Sequence, residues 1–143
     1  MKKLLTTTLA FCLTLFALLV FGCSKERLVL KESDTFIVIT VSSKQMELNE
    51  NSTLIEYMQS LKADGKLDFE LSNGMINSIN GIENPADWSS CWMLYTSDTE
   101  NSNAAWGELD YEGKTYGSST LGAETLKIKD GCIYIWVYKA FTV

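Results

Sequence analysis

Hydrophobic and polar positions along the chain fall into three regimes. From Leu4 to Phe21 the residues are apolar apart from Thr6, Thr7, Thr8 and Thr14, and from Ser24 to Ser33 (SKERLVLKES) charge is dense, with no Pro or Gly. After that, short apolar runs alternate with polar turns. Thr35 to Val41 (TFIVITV) is β-branched, aromatic and apolar at consecutive positions, which predicts a strand covered on both faces. Leu54, Tyr57, Met58 and Leu61 recur at helical spacing behind a Thr53/Glu56 capping box, and Gly65 supplies the stop. Leu67, Phe69 and Leu71 then alternate. Asn73-Gly74 and Asn80-Gly81 are tight-turn dipeptides, with Met75, Ile76, Ile79 and Ile82 as apolar anchors around them. Pro85 precedes a predicted strand at Trp88 to Tyr95, and a polar loop follows at Ser97 to Asn103. Trp106 to Tyr111 and Lys114 to Tyr116 flank Glu112-Gly113 as a hairpin, Leu126 and Ile128 alternate before Asp130-Gly131, and Cys132 to Tyr138 is a last apolar strand. Strand, helix, then several strands predicts an α+β domain over residues 34–143. One helix packed on a mixed sheet is the expected layout, for which a β-grasp-like fold is the commonest design.

The first regime reads as a secretion signal, because Met1-Lys2-Lys3 puts positive charge before the apolar run. The run is nearly long enough to cross a bilayer, so an uncleaved span is the alternative. It ends, however, in Val20-Phe21-Gly22-Cys23, which resembles the bacterial lipobox. That resemblance implies removal of residues 1–22 as a lipoprotein signal peptide, lipidation of Cys23, and residues 23–33 as a lipidated tether. The domain is then expected outside the cytoplasm, anchored to the cell membrane by lipid.

Charge and composition narrow the function. The formal net charge is −6, and loss of residues 1–22 removes two lysines and no acid, leaving a more acidic mature chain. Nucleic acid is an unsuitable partner, since its phosphates need Lys and Arg to displace counterions, and adsorption to anionic headgroups is disfavoured too. The chain has no histidine, which removes Ser-His-Asp and Cys-His chemistry. No Ser-x-x-Lys and no Gly-x-x-x-x-Gly-Lys occurs. The loop at Asp98 departs from a calcium loop, with Asn103 and Leu109 where glycine and glutamate are needed. A non-enzymatic protein with no required cofactor and no metal site is the expectation.

With Cys23 lipidated, Cys91 and Cys132 form an isolated pair in an oxidising compartment, where bridging is the common outcome. A disulfide closing a loop of roughly 40 residues contributes about 4 kcal/mol by loop-closure entropy. A reactive or metal-binding thiol pair is the other reading, weakened because zinc wants four ligands. Trp88, Trp92, Tyr95, Trp106, Tyr111 and Tyr116 crowd one region of the chain. Flat side chains suit recognition of a planar ligand or partner surface, and they equally suit a small core. Trp88, Trp92, Tyr95, Trp106 and Tyr116 are the candidate binding residues; Trp136, inside the last strand, is assigned to the core.

Four runs together carry a family resemblance: Ser52-Thr53-Leu54-Ile55-Glu56-Tyr57-Met58; Met75-Ile76-Asn77-Ser78-Ile79-Asn80-Gly81-Ile82; Ser90-Cys91-Trp92-Met93-Leu94-Tyr95; and Lys129-Asp130-Gly131-Cys132-Ile133-Tyr134-Ile135-Trp136. They resemble the transcobalamin-like C-terminal domain family of bacterial surface proteins. The resemblance implies a β-grasp-like domain and capture of cobalamin or another corrinoid, held against this one domain. A cell-surface protein-interaction module with no small-molecule ligand is the alternative expectation.

Overall fold

Every pairing in the computed structural model, which describes residues 29–141, is antiparallel. Strands β1 (Val29–Ser33), β2 (Phe36–Thr40), β6 (Ser90–Thr96), β7 (Ser102–Tyr111), β8 (Lys114–Ser119) and β9 (Ile133–Ala140) form a six-stranded sheet in the order β1-β2-β9-β6-β8-β7. Strands β3 (Phe69–Ser72), β4 (Met75–Ile79) and β5 (Ile82–Glu83) form a second, three-stranded sheet, and helix α1 is Leu54–Ala63. The α+β class is as expected. The mixed sheet is not: β9 enters between β2 and β6 and runs opposite to both. Residues 29–33, read from sequence as tether, form the edge strand β1, which folds back on β2. The proposed signal peptide and Cys23 lie outside the described residues.

Local chemistry accounts for the elements. In α1 the Thr53 Oγ1 accepts from Glu56 N–H at 3.4 Å and Glu56 Oε2 accepts from Thr53 N–H at 2.9 Å, the reciprocal cap read from sequence. The next free donors, Leu54 N–H and Ile55 N–H, reach the carbonyls of Leu126 and Ala123, so a strap over residues 123–128 satisfies the helix N-terminus. Leu126 and Ile128 are buried by that strap, which meets Thr53 through one isolated bridge at Lys127 and forms no strand. Asn73-Gly74, Asn80-Gly81 and Glu112-Gly113 all have positive φ at both positions, the requirement of the tight hairpin turn that matches strand twist.

Two apolar layers sandwich the large sheet. On one face, Ile37, Ile39, Trp92, Leu94, Tyr134 and Trp136 pack against Leu54, Tyr57, Met58 and Leu61 of α1 and against the small sheet. Tyr57 Oη ties the helix down, donating to Thr40 C=O at 3.1 Å and accepting from Ser42 N–H at 3.0 Å. On the other face Val38, Tyr95, Tyr116 and Ile135 form a smaller cluster, flanked by Phe36, Met93, Leu109 and Tyr111. The sheet covers this cluster by curling on itself. Tyr111 of edge strand β7 lies 5.4 Å from the Phe36 ring and donates to Glu32 of edge strand β1 at 2.7 Å.

Candidate functional site

The small sheet is fastened to the large one by polar side chains. Trp92 Nε1 donates to Ile82 C=O at 2.8 Å, and Tyr138 Oη donates to Glu83 C=O at 2.9 Å. Asn84 Oδ1 accepts from Trp92 N–H at 3.0 Å while its Nδ2 donates to Ile76 C=O at 2.8 Å. Beside this seam β6 pairs with β8 only at Tyr95 and Thr96, because the chain after β8 leaves the sheet for the strap. The gap between the first half of β6, the start of β4 and residues 118–123 is a cleft of about 280 Å³.

Apolar side chains dominate its wall: Met75, Ile76, Trp88, Leu94, Leu121 and Trp136, with no charged residue among the lining groups. Met75, Trp88 and Leu121 are three of the few large hydrophobic residues left exposed, at 52%, 51% and 40%. The turn closed by Trp88 N–H on Pro85 C=O at 3.0 Å leaves Trp88 at φ +55, a left-handed conformation that costs a side-chain-bearing residue about 1–2 kcal/mol. The indole is thus held out over the cleft at an energetic cost. Trp136 is 5% exposed and its Nε1–H has no hydrogen-bond partner. A buried donor in that state costs about 1–3 kcal/mol.

Of the five aromatic residues picked out by sequence, Trp88 alone is an exposed element of this cleft. Trp92, Tyr95 and Tyr116 are buried, at 6%, 2% and 4%; Trp92 still lines the cleft with its buried ring, whereas Tyr95 and Tyr116 lie outside it. Trp92 belongs to the helix-side layer and is locked to Ile82; Tyr95 and Tyr116 belong to the opposite layer. Tyr95 Oη accepts from Lys139 Nζ at 2.6 Å. Trp106 is 60% exposed but stands on β7, where residues 104–107 are pinched out between the Asn103–Ser118 and Glu108–Gly117 pairs. Met75 and Leu121 line the cleft without having been picked out by sequence, and Trp136, assigned to the core from sequence, is buried in that core and also lines the cleft. Met75 had one legible signal, its position directly after the Asn73-Gly74 turn.

The expected Cys91–Cys132 bridge is also corrected, since both thiols are free. Cys91 lies opposite Lys139, at the far end of β9 from Cys132, which separates them by about 20 Å at ~3.3 Å per residue. A disulfide needs Cα atoms within about 7 Å. Burial pushes the Cys91 thiol up, away from reactive thiolate character. A second polar cluster holds the Thr99–Asn101 turn. Burial pushes the Asp98 carboxyl up, but hydrogen bonds from Asn101, Lys129 and Glu100 N–H outweigh it and hold it below the usual range. Among the described residues no group of three or more His, Cys, Asp or Glu is placed to hold a metal ion. No helix among them is long and apolar enough to cross a membrane.

No protein-family model, curated protein or solved structure matches the chain.

Proposed function

We propose that this protein is a lipid-anchored, extracytoplasmic binding protein that captures its ligand without chemistry of its own. The supporting observation is the uncharged cleft between the two sheets, with Trp88, Met75 and Leu121 exposed on its wall. Such sites are apolar concavities with a few placed polar groups. Anchorage through Cys23 and export by residues 1–22 are carried by the N-terminal sequence. A corrinoid is the named candidate ligand, carried by the sequence resemblance, as is a β-grasp-like relationship to the cobalamin carriers' β-domain. A corrin macrocycle exceeds the cleft, so one edge with its amide-bearing side chains would enter. Anchorage beside a transporter would raise local concentration enough for modest affinity to serve.

The test is an absorbance and calorimetric titration of cobalamin and cobinamide into the full chain, with Trp88→Ala alongside. Saturable micromolar binding, about −8 kcal/mol, weakened at least tenfold by Trp88→Ala, is the expected result. Absence of binding at high micromolar concentration removes the corrinoid, and an unchanged affinity in Trp88→Ala removes the cleft.

Docking of a partner strand within the cleft is opposed by Asn84. Its side chain occupies the Trp92 N–H on the unpaired half of β6, so a partner strand added inside the cleft would find that amide taken.

A further inference from the structure

The polar groups of the cleft wall are not equivalent. Asn84 is committed on both sides, to Trp92 N–H and Ile76 C=O. The Ser119 hydroxyl donates to Leu121 C=O at 2.8 Å. The indole of Trp136, by contrast, is a donor without an acceptor, and indole N–H can only donate. Because the wall carries no charge, an ionised ligand would lose its hydration with nothing to replace it. The volume, about 280 Å³, equals roughly nine waters at about 30 Å³ each, room for a group of one or two fused rings.

We infer that the cleft recognises a neutral, flat, largely apolar group bearing a carbonyl-type oxygen, which accepts the hydrogen bond of Trp136 Nε1 while the Trp88 ring covers its face. Trp136 Nε1 is closed off from solvent, so entry requires side chains of the cleft wall to move aside, the exposed ones being Met75, Leu121 and Trp88. Their flexibility makes that motion local, and the site tightens around the ligand as the donor is engaged. The inference rests on the cleft being the binding site, and it adds the chemical class of what binds.

The test pairs 1-tetralone with tetralin, which share a carbon frame and differ in the ketone oxygen. Each is titrated into the full chain labelled with ¹⁵N at its four tryptophan indoles, assigned by Trp→Phe variants. The expected result is at least tenfold tighter binding of the ketone, a shifted Trp136 indole N–H with the ketone only, and loss of that preference in Trp136→Phe. If Trp136→Phe fails to fold, the indole shift in the native chain carries the test. Equal affinities, or an unmoved Trp136 signal at saturation, overturn the inference. If cobinamide still binds with Trp88 perturbed, the binding role survives that failure. If neither fragment nor corrinoid perturbs Trp88 or Trp136, the binding role falls with it.

Discussion

The two faces of the six-stranded sheet solve the same problem differently. The helix-side face is covered by separate elements: α1, the strap over residues 123–128 and the small sheet, which meet it over a broad layer containing Leu54, Tyr57, Met58 and Leu61, all at 0% exposure. The opposite face is covered by the sheet's own curl and buries chiefly Val38, Tyr95, Tyr116 and Ile135. Separate covering elements leave seams between them, and the cleft is such a seam. A sheet that folds over itself leaves an edge-to-edge join, closed here by Tyr111 and Glu32. The helix side should therefore hold most of the stability and the cleft together, and perturbations of the two faces should differ in size.

Truncation of the helix stripe should show the largest effect. Leu61→Ala is expected to cost about 3 kcal/mol through lost transfer energy and cavity formation, read as a lower urea midpoint at unchanged slope. Alkaline titration comes next. Burial pushes Tyr134, on the helix side, up to about 12, and also raises Tyr116 on the curled side. A folded-state value above the unfolded one, about 10, means that stability is complete below pH 10 and falls between pH 10 and 12, by about 2 kcal/mol from Tyr134. A urea midpoint that stays flat to pH 12 would remove Tyr134 from the protonation-sensitive core, and Tyr134→Phe should flatten the decline.

Trp92→Phe keeps one aromatic ring but removes the pyrrole ring with its N–H, leaving Ile82 C=O without its donor and a small gap in the core, an expected loss of about 2 kcal/mol. Faster hydrogen exchange in β4 and β5 would show that the seam itself loosened. Trp88→Gly is expected to raise stability by about 1 kcal/mol as the left-handed strain is relieved, while abolishing ligand binding; a drop in stability would mean the ring is a structural prop. The smallest effect belongs to the edge join. Tyr111→Phe removes one exposed hydrogen bond, so a loss of about 0.5 kcal/mol, within a denaturation curve's reach, is expected.

What could be read from sequence is what neighbours in sequence decide. The Thr53/Glu56 cap, the α1 stripe, three hairpin turns and the apolar strands at residues 36–40 and 133–140 all follow from contacts spanning a few residues. What could not be read depends on which strands pair. The order that places β9 between β2 and β6 also puts Cys91 and Cys132 at opposite ends of the sheet. Leu71 alternates with Phe69 in sequence, yet an irregularity between Glu70 and Leu71 turns it outward. The aromatic crowding misled for a simpler reason: Trp92 and Tyr95, three apart on one strand, must face opposite sides of it, so the set could never form one wall. The cleft arises from β8 leaving the sheet early, which no periodicity announces.

The four residues pinched out of β7 have a consequence beyond the fold of one copy. Gly107 at φ +142 and the exposed Ala104, Ala105 and Trp106 interrupt the outer rim of the sheet, so the rim offers no continuous row of amides for a neighbour to copy. An unbroken rim would offer copies of this protein a template on which to zip into fibres. The interruption removes that template along β7, so crowded copies stay separate molecules at this edge.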